Sequence, residues 1–418
     1  MRPKFLRPGR AVAALAAGLL VAFGLAVYAG TADPMPTASA ATGFGVAPYV
    51  DMTNNQEPML DSAISSGGLK AFTAAFVIGS GCTPIWGDTL PATNDPAVSS
   101  AISSAESAGA QVIVSFGGAG GVELSQSCTD TTQLTAAYQA VINTYHLNHI
   151  DFDVEGAAIA DPTSVNRRFA AIKNLESANP GLVVSVTIPA LPTGPDSNGQ
   201  TFLQDARTDG ARIDLINIMT MDYYGSWDSN PQMGAYSTQA AQGTLNFAKT
   251  VWPSITYGNI GITPMIGQND DSAEVFSEAD AQTVVNFATA NGIGRLAFWS
   301  VDRDQPCAGG VSGLPSCSEI SQSKLDFTRI FTGYQGGGVT PPTTSTPTTS
   351  TTPTTPTTPT TTPPAGCTGT AAWSAATSYV PGDVVSYNGH KWTSLYYSTG
   401  VTPGSAIAWN IWQDNGAC

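Results

Sequence analysis

Basic residues and histidine are scarce in this chain. Its 418 residues hold 16 Lys and Arg and three His against 31 Asp and Glu, a net charge of −15. Binding to nucleic acid or to an anionic membrane draws on clustered Lys and Arg, so both are excluded as partners. A neutral polymer is not. Cysteine is sparse too: Cys82, Cys128, Cys307, Cys317, Cys367 and Cys418 make no CxxC pair and no cluster with histidine. That excludes the usual zinc-site spacings. No glycine-rich phosphate loop follows the first strand-like run, which argues against an open dinucleotide-binding sheet.

What is present begins with a targeting segment. Arg2, Lys4, Arg7 and Arg10 form a basic region, Ala11 to Gly30 is apolar, and Ala38-Ser39-Ala40 has the form of a cleavage site. Secretion is expected, with residues 1–40 as signal peptide and no membrane association after cleavage. Retention of the long apolar stretch would instead make an anchored surface protein. Cleavage removes four basic residues and one acid, leaving 12 basic against 30 acidic residues and a net charge of −18. An even cysteine count in a secreted chain favours disulfides. Spacing alone cannot determine their connectivity; Cys82–Cys128, Cys307–Cys317 and Cys367–Cys418 are the expected pairs.

Residues 335–366 run from Gln335 through three glycines into Thr-Pro repeats. Such a stretch has no apolar face to bury and reads as an extended linker. It divides a body, 41–334, from a tail, 367–418. In the body, strand-like runs at 44–50, 72–78, 111–116, 149–155, 182–188, 214–222, 258–265 and 295–301 alternate with helix-like runs near 55–67, 95–108, 131–145, 162–178, 200–208, 235–250, 278–290 and 320–332. Asp95-Pro96 and Asp161-Pro162 are helix starts, and Asn291-Gly292 is a helix stop. Eight strands each followed by a helix predict an α/β fold, a (β/α)8 TIM barrel, whose functional groups gather at the carboxyl ends of the strands.

The fourth run, Ile150-Asp151-Phe152-Asp153-Val154-Glu155, carries the chemistry. Alternate side chains of a strand share a face, so Asp151, Asp153 and Glu155 form a file of acids opposite Ile150, Phe152 and Val154. A solvated edge strand would mix in Lys and Thr; this one does not. Three acids on one face raise at least one pKa. A carboxylic acid kept neutral near neutral pH can protonate a glycosidic oxygen.

The body resembles the chitinases of glycoside hydrolase family 18. Their Asp-x-x-Asp-x-Asp-x-Glu signature is met in its last three acids, with Asn148-His149 in place of the usual Asp-Gly opening. Their Ser-x-Gly-Gly at the third strand is met by Ser115-Phe116-Gly117-Gly118. At the sixth strand the family commonly has Met-x-Tyr-Asp; here Met221 stands at the tyrosine position and Asp222 matches. Tyr223 or Tyr224 is then expected to supply the hydroxyl, Tyr224 by sharing a strand face with Asp222. Trp299 matches the tryptophan that floors the sugar site. Tyr49, Gln268 and Asn269 lie at strand ends, and Tyr49 and Gln268 are expected at the substrate.

The resemblance implies substrate-assisted hydrolysis of chitin or chito-oligosaccharides with retention. Glu155 would protonate the leaving oxygen, the substrate's own acetamido oxygen would attack, Asp153 would orient the acetamido group, and Asp151 would sit behind Asp153. Neither metal nor organic cofactor is implied, and a monomer is expected.

The tail packs eight Trp and Tyr into 367–418, more than a small core absorbs. It resembles the small, mostly β chitin-binding modules of carbohydrate-binding families 5 and 12. Tyr396, Tyr397 and Trp412 are the expected sugar-stacking residues, and Trp373 and Trp409 the expected core. Two other functions share parts of this pattern: an endo-β-N-acetylglucosaminidase acting on N-glycans, which the tail argues against, and a non-catalytic chitin-binding lectin, which the presence of Glu155 argues against.

Overall fold

Alternating inward and outward side chains build eight parallel strands: β1 (Tyr49–Asp51), β2 (Ala71–Ser80), β3 (Gln111–Gly117), β4 (His149–Asp153), β5 (Val183–Pro189), β6 (Leu215–Met219), β7 (Ile260–Thr263) and β8 (Arg295–Leu296). They pair in chain order. The eighth returns to the first, with Ala47 N donating to Leu296 O (2.9 Å), Tyr49 N to Phe298 O (3.0 Å) and Leu296 N to Gly45 O (2.8 Å). The sheet thus closes into the expected barrel. This computed structural model describes residues 44–53, 57–87, 90–228, 231–308 and 315–336, and in the tail 370–374, 377–379, 384–394, 398–399, 402–404 and 412–417. Residues 1–40, expected as a signal peptide, and 337–366 of the expected linker lie outside the described residues. Among the described residues no helix is long and apolar enough to cross a membrane.

Helices follow the strands in turn: α1 (Glu57–Ser65), α2 (Pro96–Ser107), α3 (Thr131–Thr144), α4 (Pro162–Ala178), α5 (Ser197–Asp209), α6 (Met233–Val251), α7 (Glu278–Asn291) and α8 (Asp326–Thr332). The sequence signals act as expected. The Asp95 carboxylate accepts the amides of Ala97 and Val98, and Asp161 those of Thr163 and Ser164; Gly292 ends α7 at φ 69°. Outward residues of β3 and β4 pack under α3, with Tyr138 edge-on to Phe116 (4.8 Å) and Phe152 (5.1 Å). Truncating the fully buried Phe152 to alanine would cost about 3–5 kcal/mol. Inward residues of the same strands, Ser115, Asp151 and Asp153, are left facing the barrel interior.

Several boundaries depart from the sequence expectation: β1 begins at Tyr49 rather than at 44, and β8 ends at Leu296 rather than at 301. β4 stops at Asp153: Val154 N still donates to Thr187 O (2.8 Å), then Gly156, at φ 54°, turns the chain into a short helix. Glu155 therefore stands just beyond the strand. β6 stops at Met219, because Asp222 and Tyr224 take positive φ values of 49° and 58°. The last helix starts at Asp326 rather than near 320, since Leu325 lies at φ 68°. The disulfides Cys82–Cys128 and Cys307–Cys317 form as expected; Cys367 and Cys418 lie outside the described residues.

The chain divides into two units between Thr343 and Thr344. In the second, β9 (Val384–Tyr387), β10 (His390–Ser394) and β11 (Trp412–Ala417) form an antiparallel sheet. Tyr379, Val385 and Trp412 are its core, with Trp373 and Trp392 packed against them. Trp412, expected on a sugar-binding face, is instead buried and set edge-on to Tyr379 at 5.1 Å. Opposite Ser394 in the register, it points to the one side this small sheet can cover. Tyr396, Tyr397 and Trp409 lie outside the described residues.

Candidate active site

Asp151 is fully buried in the barrel. Four hydroxyls from three other strands surround its carboxylate: Tyr49 (3.0 Å) from β1, Ser115 (2.8 Å) from β3, and Ser185 (2.5 Å) and Thr187 (3.0 Å) from β5. Each has one proton to give, and a carboxylate is the acceptor such a ring requires. Asn217 of β6 extends the network to Thr187 (3.1 Å) and accepts from Thr263 of β7 (2.9 Å).

Asp153 comes next along β4, buried, with Oδ1 lacking a hydrogen-bond partner. Burial first, then the charges of Glu155 and Asp151, holds its carboxyl well above the usual range. The end of β3 fits tightly against it. Gly117 has φ 113°, and a Cβ there would come within 1.9 Å of the Asp153 carbonyl oxygen; Gly118 N donates to that same oxygen at 3.1 Å. The paired glycines are thus the condition for bringing β3 against the acid file.

Glu155 is half-buried. Burial, then Asp222 and Asp270, pushes its carboxyl up to about 7. Asp222 comes from the turn after β6 and Asp270 from the loop after β7. The two loops are joined: Asp222 Oδ1 accepts the Asp271 amide at 2.7 Å, and Glu274 Oε1 accepts the amides of Tyr223 (2.7 Å) and Tyr224 (3.3 Å). Burial holds Asp222 above its ordinary range, with Asp270 and Asp271 adding to it.

These groups line a cleft of about 540 Å³ at the carboxyl end of the barrel. Asp153, Glu155, Asp196, Asp222 and Asp270 supply its acids, and Tyr49, Phe76, Met221, Tyr224 and Trp299 are among its apolar walls. Trp299 stacks on Phe76 at 5.5 Å with the rings 16° apart. An apolar platform beside convergent acids is suited to a sugar ring. The only grouping of metal-ligand type among the described residues is Asp228, Asp271 and Glu274, whose oxygens lie within 4.8 Å of one another.

Two expected residues are not at the cleft. Tyr223 is buried with its ring against Tyr236 at 5.8 Å, because the turn at Asp222 rotates it into the core. Gln268 spends its amide on the carbonyls of Asn269, Asp271 and Glu274 (2.8–3.4 Å). It shapes the loop after β7, and Asn269 is buried beneath that loop. Tyr224 does line the cleft, but from its rim, 57% exposed, and not from a shared strand face. Asp270, Phe76 and Thr187 were not anticipated. Asp270, next to two sequence candidates, was within reach of the strand-end rule; Phe76 and Thr187 read as ordinary strand residues.

A closed parallel barrel whose strand ends converge on a glutamic acid with a raised pKa, two buried aspartates and a tryptophan is the arrangement of a glycoside-cleaving enzyme. The model of the glycosyl hydrolases family 18 matches residues 46–261, more than half the chain, and the chain belongs to that family. It is 32% identical over 308 residues to a probable bifunctional chitinase/lysozyme of Escherichia coli (strain K12), covering 69% of this chain and 34% of that protein. It is 32% identical over 276 residues to endochitinase 11 of Metarhizium anisopliae, covering 63% and 53%. The chain thus spans about a third to a half of the length of these curated relatives. The crystal structure of the catalytic domain of a hyperthermophilic chitinase from Pyrococcus furiosus superposes with a TM-score of 0.63 at 30% identity, covering 72% of this chain and 97% of that one. Catalytic-site mutants of active domain 2 of a chitinase from the same organism, complexed with chito-oligosaccharides, give 0.63 and 30%, covering 70% and 94%.

Proposed function

We propose that this chain is a secreted chitinase that cuts β-1,4-linked N-acetylglucosamine polymers internally, with retention, by substrate-assisted catalysis. The observation that carries the proposal is Glu155, whose carboxyl is pushed up to about 7 at a cleft lined by Trp299, so that a large fraction stays protonated near neutral pH. A neutral carboxylic acid there can donate its proton to the glycosidic oxygen. The substrate's 2-acetamido oxygen then attacks the anomeric carbon as the leaving group departs. Asp153, with Oδ1 free of partners, takes the acetamido N–H and faces the positive charge that develops. Asp151 sits behind Asp153 on the same strand, held by its own ring of hydroxyls. Glu155, now the anion, takes a proton from the incoming water, which attacks from the face the leaving group vacated. Asp222 and Tyr224 border the acetamido side, with the Tyr224 hydroxyl serving where the family has its tyrosine one residue before the aspartate. No step calls for a metal or organic cofactor.

The rest of the chain fits an extracellular enzyme acting as a monomer. Residues 1–40 would direct export, 41–334 form the catalytic body, 335–366 act as a tether, and 367–418 hold the chain on solid chitin through Tyr396 and Tyr397. The two disulfides of the body support an oxidising location. The short connection between β7 and β8 supports internal cutting. It holds a two-stranded hairpin (Gly267–Gln268 with Val275–Phe276) and α7, so no further domain walls the cleft there. The deciding experiment is the product ladder from chitin oligomers set beside release from an N-glycoprotein. Cleavage of the oligomers alone is expected; release of N-glycans without chitin cleavage would refute the proposal.

A further inference from the structure

His149 opens β4 two residues before Asp151, so the two side chains share the inward face. Both are buried, as is Arg295 at the start of β8. Arg295 Nη2 lies 2.6 Å from His149 Nε2, and Arg295 Nη1 donates to Ser185 Oγ at 3.2 Å. Ser185 Oγ donates in turn to Asp151 Oδ1 at 2.5 Å. One file of contacts therefore runs from the amino end of the strands to the acid beneath Asp153.

The charges in that file constrain one another. A guanidinium has donors only, so the imidazole nitrogen facing it must accept, and His149 is neutral. Burial, then the Arg295 charge, holds that imidazole well below its usual range. Of the titratable groups facing one another here, Asp151, Asp153 and His149 come from β4, the Tyr49 phenol from β1 and Arg295 from β8. Among the described residues Arg295 is the cation of the set. A fully buried carboxylate is costly without a counter-charge. Hydroxyls supply hydrogen bonds but no net charge.

We propose that Arg295, with neutral His149 as its acceptor, is a positioning residue: the buried counter-ion, acting through Ser185, that keeps Asp151 anionic beneath Asp153. The charge placement stands on the contacts above; its use in catalysis rests on the proposed hydrolysis. With Asp151 pinned as the anion, its charge adds to the burial and the Glu155 charge that hold the Asp153 carboxyl above its usual range. Loss of the counter-ion would let Asp151 take up a proton and would remove that charge from beneath Asp153.

The test is a ¹³C-carboxyl NMR titration of the aspartates in the full chain without substrate, with Asp151 assigned by the signal missing from Asp151→Asn. Arg295→Met is expected to raise the Asp151 midpoint, because a carboxylate that loses a nearby cation holds its proton more tightly. Arg295→Lys should return most of that shift, and Ser185→Ala should fall between. On a soluble chito-oligosaccharide, kcat should drop in Arg295→Met and recover in Arg295→Lys while KM stays constant, a pattern that lost packing does not produce. Should Arg295→Met fail to fold, the Ser185→Ala titration decides. An unmoved Asp151 midpoint in the folded variants overturns the proposal. Midpoints that move as expected in a parent protein inactive on chito-oligosaccharides would overturn the proposed function and leave the counter-ion standing.

Discussion

The Tyr49 hydroxyl donates to Asp151 Oδ2 at 3.0 Å, tying the first strand of the barrel to the fourth across its interior. The same oxygen lies 2.8 Å from Thr187 Oγ1 and accepts from Asn217 Nδ2 at 3.3 Å. Tyr49 therefore serves the acids from beneath and borders the cleft from the side. Removing its hydroxyl in Tyr49→Phe leaves a buried carboxylate one donor short. The expected loss is about 1.5–3 kcal/mol of stability, the range for hydrogen bonds to charged groups, with a lower kcat and a nearly constant KM. A denaturant midpoint equal to the parent's would show that the contact contributes nothing.

Glu155→Gln is expected to lose at least ~10²-fold in kcat, the lower end of general-acid contributions, while keeping its fold. Its stability should carry the opposite sign. The Glu155 carboxyl rises from 4.5 to about 7 on folding, so the folded state binds the extra proton. Stability from this group therefore falls as pH climbs from about 4.5 through about 7. The amide has no such penalty, so the variant should melt above the parent at about pH 8 and alongside it at about pH 4. Scanning calorimetry at both values decides it; a variant less stable at the higher pH would contradict the burial of the acid.

The same shift sets the alkaline limb of activity. Only protonated Glu155 can donate, so kcat/KM should fall about tenfold per pH unit once pH passes the Glu155 midpoint. After burial, Asp222 and Asp270 are the causes that raise that midpoint. Asp270→Asn removes one like charge and should move the limb toward lower pH without altering its slope. A limb unmoved in that variant would mean that Asp270 does not act on the acid.

Deleting 335–418 should spare hydrolysis of soluble oligomers and slow attack on solid chitin, because a tether makes binding by the tail intramolecular. Tyr396→Ala with Tyr397→Ala should reproduce most of that loss. Trp412→Ala, by contrast, should unfold the tail, since Trp412 is core. Equal rates on crystalline chitin with and without the tail would remove its targeting role.

Internal cutting predicts rapid viscosity loss and a spread of oligomers early in the digestion of a soluble chitin derivative. Nearly pure disaccharide from the outset, with viscosity unchanged, would mean processive trimming. The segment between β7 and β8 would then have to enclose the polymer by some other means.

Period-two patterning and chemical type made much of this molecule legible in its sequence. The eight strands, their helices and the acid file follow from residues close together in the chain, because strand alternation and helix caps are local effects. The Asp95 and Asp161 caps act where the chain spelled them. Strand-end geometry was less accessible. Tyr224 was expected to share a face with Asp222, but alternation holds only while the backbone stays extended, and positive φ at both residues ends it. Trp412 was expected on a binding face, but which side of a small sheet is covered depends on what packs there.

Sequence alone therefore determined the barrel, the order of its elements and the file of acids that ends at Glu155. Tertiary structure decided the company those residues keep. Asp151 meets Tyr49, 102 positions away, and His149 meets Arg295, 146 positions away, only because closing the barrel brings its first and last strands beside each other and aims their inward side chains at the fourth. How far the Glu155 carboxyl rises depends on burial and on Asp222 and Asp270 from two other loops, and neither is written in the residues beside it.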